Sequence, residues 1–196
     1  MKILICSDGT PSAQTAIDLV GLLAGPLTAE TTLLGIAERS EDEQPLREAL
    51  HTQAQSLRQR GVSPNIDVQF GEPVLQIVQQ TSKSKYDLVV IGARWTGAVG
   101  HYWRSKRTYE VIKAIQPPVL VAIGERKELK RFMVCTGGKE FIEQAVKFTG
   151  RLAAADPAAL AAAVASATTG GSVSSPVLVT GVGPARCSSP WTTTSW

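Results

Sequence analysis

Histidine and cysteine are scarce in this 196-residue chain: His51 and His101, and Cys6, Cys135 and Cys187. The cysteines lie far apart and match no metal-ligand spacing, and an odd count without a framework suits a reducing compartment better than a disulfide-stapled fold. No Ser-His-acid or Cys-His grouping can be argued from order or spacing, so the pattern assigns neither a catalytic residue nor a metal ligand. Long apolar runs are missing too. The longest weakly polar stretch, 153–167, is alanine-dominated and carries Asp156 and Pro157, which makes it a poor membrane span. Met1–Gly9 holds few apolar residues before Asp8 and reads as a strand, not a signal peptide. Charge of one sign is also lacking. A net charge of +3 without a long Lys/Arg run argues against nucleic acid as a partner. The expectation is a cytoplasmic protein that engages neither membrane nor nucleic acid.

What is present is alternation. Apolar runs Lys2–Cys6, Thr31–Ala37, Asp87–Ile91 and Val119–Ile123, with the alternating stretch Asn65–Phe70, read as five strands. Between them apolar residues recur at helical spacing: Ala13, Ala16, Ile17, Val20 and Leu23; then Leu46, Ala49, Leu50 and Leu57; then Val74, Ile77 and Val78; then Thr108, Val111, Ile112 and Ile115. Ser12 is a candidate cap for the first helix, Arg60-Gly61 closes the second, and Gly71-Glu72-Pro73 opens the third. Nearly continuous apolar strands separated by helices predict a parallel sheet covered on both faces, an open α/β domain over residues 1–124.

After a linker at 125–129, residues 130–155 repeat the opening of the chain at an offset of 129. Cys6 matches Cys135, Gly9 matches Gly138, Ala16 matches Ala145 and Gly21 matches Gly150, which indicates a tandem duplication whose second copy is incomplete. Residues 156–196 change character: only two of these 41 side chains are charged, while Ser and Thr supply 13. A frameshift within the second copy produces so abrupt a switch; a natural low-complexity tail is the alternative.

Four stretches together resemble the universal stress protein family: Ile3–Pro11 (ILICSDGTP), Gly71-Glu72-Pro73, Asp87–Gly92 (DLVVIG) and Pro118–Ala122 (PVLVA). The resemblance implies an adenine-nucleotide alpha-hydrolase-like fold with strand order 3-2-1-4-5. Asp8, Gly9 and Ile36 would then lie with Gly92 at the crevice where that order reverses. It also implies a phosphate loop, Gly-x-x-Gly-x9-Gly-Ser/Thr, after the fourth strand. Here Gly92 and Arg94 fit, but Trp95 holds the second glycine position, Ser105 the third and Lys106 the hydroxyl position. Thr108 matches a hydroxyl often present in the family. Arg104, Ser105, Lys106 and Arg107 open a helix, where cations are disfavoured unless an anion or water takes them. For Asp8 a bland role stands beside the functional one: shaping a turn and capping the next helix.

The expected function is therefore a stress-response binding and interaction module with a degraded nucleotide site and no required cofactor. The alternative is an ATP- or AMP-binding stress protein with at most slow hydrolysis. Val119–Ile123, an edge strand by the resemblance and free of charge or proline, is expected to pair with its copy in a homodimer.

Overall fold

The computed structural model describes residues 1–24, 27–93, 106–124, 132–136, 149–151, 162–166 and 177–180. β1 (Lys2–Ser7) takes the centre of a sheet because its residues Ile3, Leu4 and Ile5 are fully buried and need cover on both faces. It pairs in parallel with β2 (Glu30–Ala37) on one side and with β4 (Leu88–Ala93) on the other. β3 (Asn65–Phe70) adds beside β2 and β5 (Val119–Ile123) beside β4, also in parallel. The expected order 3-2-1-4-5 is the observed one. The crossovers are α1 (Pro11–Leu23), α2 (Ser40–Gln59), α3 (Pro73–Lys83) and α4 (Lys106–Ala114).

The strand residues divide between two cores. Ile3, Ile5, Leu33, Leu88, Val90 and Leu120 pack with Ile17, Val20, Leu50 and Leu57 of α1 and α2. Leu4, Leu34, Val89, Val119 and Val121 pack with Ile77, Val111 and Ile112 of α3 and α4. Burying such side chains contributes about 1.5–3 kcal/mol each. The two cores fix where each helix starts, and the helix starts surround the carboxyl ends of the strands.

Helix entry differs from expectation at one point. α1 begins at Pro11, with Thr10 as N-cap in an extended conformation, so Ser12 lies inside the first turn and does not cap. Proline at the first helical position is pre-set for the helix and loses an N–H that has no intrahelical partner anyway. α3 begins as expected, and Glu72 caps it by accepting from the N–H groups of Val74 (3.0 Å) and Leu75 (2.7 Å).

Beyond the fifth strand the structure departs from the sequence reading. β8 (Val177–Thr180) pairs in parallel with β5 and makes the sheet six-stranded. The edge expected to be open for a second copy therefore carries a strand from the same chain. The physical reason lies in the sequence: residues 118–121 and 176–179 both read Pro-Val-Leu-Val, and the pairing sets Val119 against Val177 and Leu120 against Leu178. β6 (Phe132–Thr136) and β7 (Ala162–Ser166) form a separate two-stranded parallel sheet.

Candidate ligand-binding cavity beside Asp8

At the carboxyl end of β1 the chain turns sharply through Ser7-Asp8-Gly9. Asp8 Oδ1 accepts from the Thr10 N–H (3.0 Å) and from the Thr10 hydroxyl (2.6 Å), the side-chain-to-backbone pattern that lets aspartate shape a turn. Gly9 sits at φ +75°, where a side chain is strained, and a Cβ there would stand 3.0 Å from that of Ala49. The close approach brings α2 against the turn.

Between the turn, the end of β2 and the start of α2 lies a cavity of about 530 Å³. Asp8, Gly9 and Ile36 line it together. Leu46, from the apolar face of the second helix, and Glu38, Arg39 and Asp42, which the sequence pattern did not single out, complete much of the wall. Their signal was available only as a charge-rich stretch directly after the second strand, which reads equally as a solvated helix start. α2 carries Glu41, Asp42 and Glu43 in its first turn, where carboxylates are favoured by the helix dipole. Arg39 reaches Glu41 at 3.4 Å on the surface. Among the described residues the lining offers the carboxylates of Asp8, Glu38 and Asp42 and the guanidinium of Arg39.

Gly92 does not line this cavity among the described residues. It lies at the end of β4 under the first turn of α1, where a Cβ would come 2.2 Å from the Ser12 carbonyl oxygen and 2.8 Å from the Ala13 Cα. Packing alone requires glycine there. Thr108 is buried in α4, 8% exposed, and is likewise outside the cavity lining. Lys106 opens α4 in the backbone, while its side chain, together with Arg94, Trp95, Arg104 and Ser105, lies outside the described residues. Cys6, at the end of β1, is no nucleophile at neutral pH: burial pushes its thiol up to about 12. Among the described residues no group of three His, Cys, Asp or Glu could hold a metal, and no helix is long and apolar enough to cross a membrane.

A doubly wound parallel sheet with a cavity at the ends of its first two strands defines a nucleotide-binding-type α/β domain. The chain belongs to the universal stress protein family, whose model matches residues 1–122. A universal stress protein from Archaeoglobus fulgidus DSM 4304 is 14% identical with a TM-score of 0.67, covering 80% of this chain and 64% of its own. A universal stress protein solved in complex with cAMP is 18% identical with a TM-score of 0.52, covering 62% of this chain and 95% of its own. Another from Archaeoglobus fulgidus, in complex with dAMP, is 16% identical with a TM-score of 0.52, covering 62% and 97%. At these identities the likeness establishes the fold. No curated protein matches the chain.

Proposed function

We propose that this protein is a stress-response binding and interaction module that does not hold ATP in the manner its family's phosphate loop implies. The observation that carries the reading is the cavity beside Asp8, whose described wall presents the carboxylates of Asp8 and Asp42, while Arg39 is drawn to Glu41 at 3.4 Å. Carboxylates at that wall repel a polyphosphate at close range. Two further features support it. Gly92, the one loop glycine retained, is accounted for by its contact with α1. Trp95 and Ser105 occupy the other two glycine positions in the sequence. No catalytic residue and no resident cofactor belong to this reading.

The alternative, an adenine-nucleotide-binding protein with at most slow hydrolysis, is favoured by structural relatives solved with cAMP and dAMP. In it Asp8, Gly9, Ile36 and Gly92 would flank the nucleoside, with Arg94, Arg104, Ser105, Lys106 and Thr108 toward the phosphates. Titration calorimetry with Mg-ATP and with AMP separates the two. The expected result is no measurable heat with Mg-ATP; micromolar binding abolished by Asp8→Ala establishes the alternative.

The domain plan belongs to the same proposal. A universal stress protein domain at 1–124 and a linker at 125–129 precede an incomplete second copy beginning at 130. β6 supports this by forming a strand where the repeat predicts one, and by pairing in parallel with β7 as β1 pairs with β2. Pairing of two chains through Val119–Ile123 is part of the reading in conditional form: β8 holds that edge, and a second copy takes it only when β8 leaves.

A further inference from the structure

Among the described helices, α1, α2 and α3 each carry a proline near the start, and α2 places its own differently. Pro11 and Pro73 stand at the first helical position of α1 and α3, where the missing N–H has no intrahelical partner in any case. α2 starts at Ser40, so Pro45 is its sixth residue, past the first turn. A proline there cannot donate to the carbonyl four residues back, that of Glu41, and its ring crowds that oxygen. The N-cap, Arg39, is extended and offers no side-chain hydrogen bond to the free N–H groups, whereas Glu72 offers two at α3.

Burial changes at the same point. Residues 38–45 are all exposed, between the buried Ala37 and the buried Leu46. From Leu46 onward α2 is anchored: Leu50, Ala54 and Leu57 are fully buried, and Gly35 of β2 lets Leu46 and Leu50 pack close. Two surface side-chain bonds span Pro45. Arg47 Nη2 donates to Glu43 Oε1 at 2.8 Å, and Gln44 Nε2 donates to Glu48 Oε1 at 2.9 Å. Exposed pairs at this spacing contribute little, and salt screens the ion pair. Few buried contacts and solvent-facing hydrogen bonds characterise a segment that opens locally.

This segment is also a wall of the cavity beside Asp8, to which it contributes Glu38, Arg39, Asp42 and Pro45. Resting on the reading of that cavity as the binding site, we propose that residues 38–44 form a flap hinged at Pro45. The first turn of α2 unwinds and rewinds as a unit while the helix from Leu46 stays docked. Unwound, it takes the Arg39 and Asp42 side chains out of the wall; wound, it closes the wall around an occupant. A ligand that touches the wound turn shifts the population toward the closed form. Salt, by screening Glu43 from Arg47, shifts it toward the open one.

The test is amide hydrogen exchange and methyl relaxation dispersion on the full-length protein without ligand. In a regular helix the N–H groups of Leu46, Arg47 and Glu48 bond to carbonyls of the first turn. They are expected to exchange about tenfold faster than those of Leu50 and Leu57, which lie beyond the hinge. Millisecond dispersion is expected at the Ile36 methyl, which lines the cavity. Pro45→Ala restores the missing donor, and should slow exchange at 46–48 about tenfold and remove the Ile36 dispersion. Glu43→Gln should speed that exchange about twofold and abolish its dependence on added salt. Both residues are exposed, so neither substitution disturbs the core. Protection at 46–48 equal to that at Leu50, or exchange and dispersion unchanged by Pro45→Ala, overturns the hinge. No ligand is needed, so the outcome is separate from that of the Mg-ATP and AMP titrations.

Discussion

Asp8 and Gly92 show how one residue can satisfy a functional pattern for a structural reason. Asp8 is engaged by Thr10 twice, and Gly92 is wedged under the Ser12 carbonyl, so both positions are explained before any ligand is considered. Gly92→Ala is therefore expected to destabilise the fold by about 3 kcal/mol, the upper part of the overpacking range, with or without nucleotide present. Urea denaturation measures this; a variant as stable as wild type that only loses ligand binding would restore Gly92 to the site. Cys6 supplies a pH-dependent test. The folded thiol keeps its proton to about 12 while the unfolded thiol releases it from the ordinary value of 9.0. The unfolded state then binds fewer protons across that window, so stability falls as pH rises. Relative to Cys6→Ala, wild type should lose stability as pH rises from 9.0 toward about 12 in paired urea melts. A difference that stays constant over that interval contradicts the assignment.

At the scale of elements, the five strands and their order were legible because buried parallel strands must be apolar on both faces. Lys2–Cys6 and Val119–Ile123 admit no other burial, the half-exposed edge strand Asn65–Phe70 was legible from its alternation instead, and the observed bounds of all three differ by at most one residue. Helix starts were legible where a side chain caps, as at Glu72, and not where the backbone alone does, as at Thr10. The same asymmetry applies at the cavity: Asp8 follows β1 and Ile36 lies near the end of β2, positions a strand pattern points to, whereas Glu38, Arg39 and Asp42 look like any polar helix entry until α2 folds back. Gly35 makes that fold-back tight, since a Cβ there would stand 2.5 Å from Leu50 Cδ1. Removing the α3 cap with Glu72→Ala frees two N–H groups and is expected to cost about 1 kcal/mol. Chemical denaturation checks it. An unchanged midpoint means that water replaces the carboxylate without loss.

For the whole molecule, the decisive question is what the two Pro-Val-Leu-Val segments do to each other. A strand edge presents a row of unpaired N–H and C=O groups, and β5 has no charge, bulge or proline to blunt it. β8 meets that row in register, Val119 to Val177 and Val121 to Val179, and so leaves as the outer edge a strand of only four residues, a shorter template for pairing. The composition of 156–196 allows a strand at Pro176–Val179 but says nothing about its pairing, which the four-residue match 58 positions upstream supplies. Two outcomes follow for association. The full-length protein is expected to be monomeric at tens of micromolar, roughly where such edges begin to associate. A chain ending at residue 175 lacks β8 and should dimerise, since two identical bared edges make a self-complementary contact that closes on itself. Adding Val121→Lys to the shortened chain should return it to monomer, because a charge on the strand opposes further pairing. Light scattering coupled to size exclusion reads all three. A shortened chain that remains monomeric shows that β5 is not adhesive, and a full-length dimer that Val121→Lys dissolves shows that β8 does not guard the edge in solution.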